Sequence, residues 1–268
     1  GPAEAMVFPK TGKELSRLLK AAKSFGVKPV ILGAGTNVLA PDAGMKGLTI
    51  CLKDCLGGME LLDDSTIRIF AGVTMARAAV FAAGLGLSGL EFAHGIPGTV
   101  GGGVYMNAGA YGGEICQVCT QVGVMDMDGN QKSLSNEEMG FSYRNSRIQQ
   151  ENLIILVADF RLQPQPEVAI REIMQELMAK RRASQPLDLP SAGSAFKRPA
   201  TGYAAALIDQ TGLKGFRIGG AAVSDKHAGF VVNLGGATAG DVRALLAAVA
   251  ARVEAAHGIH LEPEVRIW

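Results

Sequence analysis

The stretch with the most chemical character runs from His94 to Gly113, HGIPGTVGGGVYMNAGAYGG. Eight of its twenty residues are Gly and none is Asp, Glu, Lys or Arg. Without a Cβ, main-chain N–H groups can approach a ligand closely, and positive φ is open to them. Successive amides in such turns form concave anion sites. Thr99 and Asn107 add neutral side-chain donors. The chemistry this suits is a phosphate or pyrophosphate held without a salt bridge. A solvated Gly-rich linker is the other reading, but Ile96, Val100, Val104, Tyr105, Met106 and Tyr111 interleave the glycines, and a linker would lack them. A second bend, Gly33-Ala34-Gly35-Thr36-Asn37, follows the apolar run Val30–Leu32. It is not a Rossmann fingerprint: position 38 is Val, and Pro41, Asp42 and Gly44 break the helix that should follow. Its amides and Asn37 could still hold phosphate.

Three more places carry polar groups that a scaffold does not require. Arg144 lies in Phe141-Ser-Tyr-Arg-Asn-Ser146, with Arg147 an equal candidate and a solvated or ion-paired role open to both. Ser194 lies in a small-residue turn after Gly193; it is a cap or a donor, and not a nucleophile elbow, because G-x-S-x-G is absent. Glu264 sits on an alternating C-terminal stretch, where an exposed carboxylate is the plain reading. Cys51, Cys55, Cys116 and Cys119 have spacings that a zinc site could use. Cys51 and Cys119 fall in apparent strands, so free thiols in a reducing cytoplasm are expected, with no metal.

The elements that must position these residues alternate between helix and strand patterns. Thr11 to Glu14 predicts a capping box opening a helix that Gly26 closes. Strands are predicted over 48–52 and 66–71, then an Ala-rich helix capped by Thr74 and ending near Gly84 or Gly86. Residues 121–127 alternate into a turn at Asp128-Gly129, and strands follow near 153–162. Beyond Pro164 and Pro166 come a helix over 167–182, a Pro-bounded connector, a short helix over 203–210, strands over 217–223 and 230–234, and a long helix from Thr238 to Gly258. The closing LEPEVRIW predicts a strand with Leu261, Val265 and Ile267 on one face. At 268 residues the chain can bury a large core in two or three units. A net charge of +1 with scattered Lys and Arg points to neither nucleic acid nor an anionic membrane. No apolar run reaches the ~20 residues of a membrane span, and no signal peptide is visible. The start at Gly1 without Met leads us to expect further residues upstream. Nothing in the sequence fixes an oligomeric state.

GIPGTVGGGVYMNAGAYGGE and LGAGTNVLAPDAG resemble the two flavin loops of the UDP-N-acetylenolpyruvoylglucosamine reductase (UDP-N-acetylmuramate dehydrogenase, MurB) family, with Thr36 where Ser is usual. SYRNS, SAGSAFKRP, KHAGFVVNLGGATAGDV and LEPEV follow in that family's order, so the resemblance covers essentially the whole chain. It implies an α+β fold: a two-subdomain FAD-binding body of the vanillyl-alcohol-oxidase type plus a separate α+β substrate-binding domain. The expected boundaries are 1–50 and 51–165 for the FAD-binding subdomains, with 260–268 returning to that body, and 166–259 for the substrate domain.

The implied activity is NADPH-driven, FAD-mediated reduction of the enolpyruvyl ether of UDP-N-acetylglucosamine to UDP-N-acetylmuramate, in the cytoplasm. FAD is expected on Gly33, Ala34, Gly35, Thr36 and Asn37 of one loop. On the other it is expected at Ile96, Pro97, Gly98, Thr99, Gly101 and Gly102, then at Asn107, Ala108 and Gly109, and finally at Arg266. Substrate contacts are expected from Tyr143, Gln185 and Lys197. By resemblance Arg144, Ser194 and Glu264 are catalytic: the cation steadies the developing enolate, the hydroxyl protonates the α-carbon, and the carboxyl acts protonated or through water. The fifty residues between Arg144 and Ser194 are similar to the shorter subtype. Arg198 stands where the longer subtype tends to have Asn. Another FAD-dependent enzyme of this fold, with flavin tethered through His94, and a non-catalytic nucleotide-binding module are the rival readings.

Overall fold

A computed structural model describes residues 1–268 and divides them into two compact units. The first comprises Ala3–Gly35 and Lys46–Ala179. The second comprises Gly1–Pro2, Thr36–Met45 and Lys180–Trp268.

The first unit is organised on a five-stranded antiparallel sheet. In spatial order its strands are Gln131–Ser135, Cys119–Met125, Ile154–Arg161, Thr66–Phe70 and Met59–Leu61. Ile154 and Leu156 pack with Leu15 and Leu19 of the helix Gly12–Ser24. Ile155, Ala158 and Phe160 join the other cluster, with Ala78, Ala82, Val100 and Val104 of the helices Met75–Gly84 and Val100–Tyr105. Strict alternation would separate Ile155 from Ala158. The register shift between Gly123 and Val124, opposite this strand, resets the phase. Asp159, 6% exposed, accepts from Arg68 Nε and Nη2 at 2.8 Å each across the sheet.

Local signals explain the helix ends. Thr11 Oγ1 accepts from the Glu14 amide, but the Glu14 carboxylate reaches Lys10 N (2.7 Å) rather than the Thr11 amide a full capping box would use. Val27 N to Ala22 O and Gly26 N to Lys23 O, with Gly26 at φ 67°, complete a Schellman end.

In the second unit a four-stranded antiparallel sheet runs Ser191–Ser194, Phe230–Asn233, Ala221–Val223, Arg217–Ile218. The helices Ala204–Gln210 and Ala239–His257 cover one face through Leu207, Ile208, Leu245 and Val249. The long helix has a capping box between Thr238 and Asp241. Asp42 adds two further acceptors, its carboxylate taking the amides of Ala239 (2.6 Å) and Gly240 (2.9 Å). These two bonds hold the Asp42 carboxyl below the usual carboxylate range. A depressed native pKa stabilises above the unfolded value, and that contribution is lost as pH falls through the native one. Asp42→Ala is therefore expected to lower the melting temperature at neutral pH, with the two melting curves converging once acid protonates the carboxylate. Circular dichroism melts across pH check it; a constant difference would contradict the capping role.

The closing segment differs from the expected strand. Leu261 and Val265 are buried, but Ile267 is 44% exposed. Only Arg266–Ile267 forms a ladder, parallel to Val38–Leu39, because Pro263 interrupts the alternation after its single bridge to Phe196. No helix is long and apolar enough to cross a membrane.

Candidate functional site

The first unit brings its two glycine bends together. A Cβ at Gly33 would lie 2.9 Å from Thr99 Oγ1, so only glycine fits there. Gly35 has φ 70° and Gly98 φ 127°, both in the region that L side chains avoid. Thr99 caps the short helix Val100–Tyr105 by accepting from the Gly102 amide at 3.3 Å, which leaves its hydroxyl one donor capacity.

The glycines inside that helix serve a different end from the cradle read in the sequence. The amides of Val100, Gly101 and Gly103 donate to Val73 O, Ala71 O and Thr99 O at 2.8–3.0 Å. A Cβ at Gly101 would meet Ala71 Cβ at 2.9 Å, and one at Gly103 would meet Met75 Sδ at 2.6 Å. Close packing demands glycine at both positions. Gly102 is exposed and roomy. The surface left for a ligand is the bend ahead of the helix, including Ile96, Pro97 and Gly98, together with Gly102.

Asn107 is a fully used hub. It is 1% exposed at φ 43°; Nδ2 donates to Glu114 Oε2 and Ser142 O, both at 3.1 Å, and Oδ1 accepts the Cys116 amide at 2.9 Å. Its side chain thus fixes loops rather than offering a donor outward. The adjoining Ala108 is held through its amide and carbonyl by Gly103 O and Ile115 N.

The Arg144 turn hangs on this hub. Ser142 and Asn145 exchange two backbone hydrogen bonds of 3.1 Å, placing Tyr143 and Arg144 at the tip, with Arg144 at φ 53°. Ser146 Oγ and Gln149 Nε2 both donate to Tyr105 O (2.7 and 2.8 Å), and Gln149 Nε2 also donates to Arg144 O (3.1 Å). Arg144 Nη2 donates to Gly109 O at 3.2 Å, and its guanidinium lies 5.2 Å from the Tyr143 ring centre. Arg147 is ion-paired with Glu151. Ser146 and Gln149 had no sequence signal, because each acts on a carbonyl some forty residues away.

The second unit carries the other candidates. Gly193, at φ 84°, lies in an irregularity of the strand Ser191–Ser194 and leaves Ser194 exposed opposite Phe230. The Glu264 amide donates to Ala195 O at 2.9 Å, and Lys197 N to Glu262 O at 2.9 Å. Ser194 and Glu264 therefore lie on neighbouring segments. Asn37 joins them: its Nδ2 donates to Glu264 O at 3.2 Å, and its carbonyl accepts the Arg266 amide at 3.0 Å. Lys197 is ion-paired with Glu262. Gln185 keeps a buried Oε1 with no partner.

Burial pushes the His94 imidazole below its ordinary pKa, and its Nδ1 is closed off without a partner. The four thiols are unpaired; burial pushes Cys119 up to about 12, which makes it inert. No group of three or more His, Cys, Asp or Glu could hold a metal ion. A surface groove of about 410 Å³ lined by Val7, Phe8, Pro9, Leu18 and Ala21, with Glu14 and Arg17, contains none of the candidate residues.

Comparison with known proteins gives one answer. A family model described as UDP-N-acetylenolpyruvoylglucosamine reductase, C-terminal domain, matches residues 185–268, and one described as FAD binding domain matches residues 3–135. The UDP-N-acetylenolpyruvoylglucosamine reductase of Syntrophomonas wolfei subsp. wolfei is 43% identical over 267 residues, 100% of this chain and 89% of that one. That of Latilactobacillus sakei subsp. sakei is 44% identical over 269 residues, 100% and 88% respectively. The crystal structure of the reductase from Thermus caldophilus matches with a TM-score of 0.84 at 35% identity, covering 100% of this chain and 93% of that one.

Proposed function

Because the chain belongs to the UDP-N-acetylenolpyruvoylglucosamine reductase family, we propose that it draws its electrons from NADPH, works in the cytoplasm, and acts on the enolpyruvyl group with Arg144, Ser194 and Glu264. It is an FAD-binding α+β oxidoreductase of peptidoglycan precursor synthesis.

The residues present fit FAD. The Gly33 bend against Thr99 is a place a Cβ would fill, and Gly35 and Gly98 hold positive φ beside it. The charge-free bend ahead of the helix Val100–Tyr105 offers its backbone and the remaining donor capacity of the Thr99 hydroxyl, neutral groups of the kind a pyrophosphate accepts. FAD, when bound, carries hydride from the nicotinamide to the β-carbon of the enolpyruvyl group.

The protein's own groups then handle charge and proton. The Arg144 guanidinium, steadied by Gly109 O, faces the carboxylate on which negative charge grows. The Ser194 hydroxyl gives its proton to the α-carbon; an enolate is basic enough to take it from an aimed alcohol. Glu264, protonated or through water, completes the polar wall beside Ser194. Tyr143, Lys197 and Gln185 bind substrate. The observation that carries this reading is the 2.9 Å bond from the Glu264 amide to Ala195 O, which puts carboxyl and hydroxyl on adjacent segments.

Anaerobic stopped-flow tests it: NADPH should bleach the bound flavin, and UDP-N-acetylglucosamine enolpyruvate should restore its colour. No bleaching would leave a nucleotide-binding module. Arg144→Lys is expected to cut turnover by about 10²-fold or more, since a point charge replaces a planar fork already anchored at Gly109. Near-normal steady-state turnover removes Arg144 from the reaction. In this reading the flavin is held without a covalent bond to His94. Denatured protein should therefore release its yellow colour.

A further inference from the structure

Tyr111 is the residue that local chemistry would least choose for its place. Gly109–Ala110 pairs with Gly113–Glu114 in a hairpin whose two-residue tip is Tyr111-Gly112. Both tip residues have positive φ, 54° and 88°, as in a type I′ turn. That turn favours Asn, Asp or Gly at its first central position, and a bulky aromatic there is strained. Burial does not compensate, because Tyr111 is 46% exposed. Strain of this kind persists where the surroundings enforce it and clusters where a side chain has a task.

The task is set by the neighbour. The first residue of this hairpin, Gly109, accepts from Arg144 Nη2. Two residues of extended chain span roughly 7 Å, less than a tyrosine side chain plus a guanidinium can bridge. Arg144 has part of its donor fork committed to Gly109, whereas a carboxylate offers about four lone-pair sites. A carboxylate has room for a second donor, and the hairpin that fixes the guanidinium carries one at its tip.

We propose that the Tyr111 hydroxyl is a second hydrogen-bond donor to the substrate carboxylate, making Tyr111 a specificity-determining residue that separates carboxylate-bearing nucleotide sugars from those lacking the acid. The assignment rests on the reductase reading above. Binding of two ligands to the FAD-loaded protein tests it, followed by titration calorimetry: UDP-N-acetylmuramate, which has the carboxylate, and UDP-N-acetylglucosamine, which does not. Tyr111→Phe is expected to weaken the first by about 10-fold, the worth of one hydrogen bond to a charged group, and the second by less than twofold. Tyr111→Asn relaxes the turn, so it should reproduce that selective loss while raising the melting temperature by about 1–3 °C. A residue with a merely structural role would not lose selectivity as it gained stability. Tyr111→Phe binding both ligands as wild type does, or losing both equally, overturns the assignment. Tyr111→Asn keeping full preference for the acid overturns it as well. A wild-type protein that prefers neither ligand sinks the reductase reading, and Tyr111 with it.

Discussion

Ser194→Ala is expected to leave NADPH-driven bleaching of the flavin at its wild-type rate and to slow reoxidation by the enolpyruvyl substrate by about 10²–10⁴-fold, the usual worth of a positioned proton donor. In the proposed reaction the half-reactions separate because the hydroxyl acts only after hydride has reached the substrate. Its placement supports this. The left-handed Gly193 and the irregular pairing of the strand turn Ser194 outward, while its neighbour Ala195 is buried and holds the Glu264 amide. Alanine preserves the backbone and removes one oxygen, so a folding defect is not expected. Ser194→Cys, with a more acidic proton, should retain more reoxidation than Ser194→Ala. Single-turnover traces with the alanine variant that match wild type in both halves would remove Ser194 from the proton path.

Asn107→Leu should produce the largest loss of stability at the site. The change strips the Cys116 amide of its acceptor, leaves the Ser142 carbonyl with the Asn145 amide alone, and forces a branched aliphatic residue into φ 43°. One unpaired group costs about 1–3 kcal/mol and a side chain held at such a φ about 1–3 kcal/mol more, so the total is of the order of 4 kcal/mol, or a fall of about 10 °C in melting temperature. Asn107→Asp is nearly isosteric but should also destabilise. It removes both Nδ2 bonds and sets carboxylate oxygen against Glu114 Oε2 and Ser142 O, each 3.1 Å from the present nitrogen. Melting within about 2 °C of wild type for Asn107→Leu would mean the hub is idle.

What could be read from the chain depended on how far each interaction reaches. Thr11, Thr74 and Thr238 cap helices through amides three residues on, and a short-range pattern records them; Thr99 does the same, though among so many glycines it reads as a donor to a ligand. The Asp42 cap on Ala239 spans 197 residues, and no local pattern encodes it. Glycine was ambiguous in a different way. The letter reports a missing Cβ but not which neighbour needs the space, so Gly33, facing the other bend, and Gly101, pressed on Ala71, read alike. The α+β architecture followed from periodicity and from family resemblance. Arg144, Ser194 and Glu264 came from resemblance alone, since each by itself is an ordinary surface residue. Pro263 is plain in the sequence, and the ladder beyond it is confined to Arg266–Ile267, with Ile267 exposed rather than on a buried face.

The parallel pairing of Val38–Leu39 with Arg266–Ile267, fastened by Asn37 to Glu264, has a consequence for biosynthesis. Residues 36–39 leave the ribosome more than two hundred codons before their partners exist, and contacts of such long sequence separation close late. During that interval the Asn37 bend has no clamp. A prematurely terminated polypeptide would therefore carry the Asn37 bend without the strand and carbonyl that fasten it.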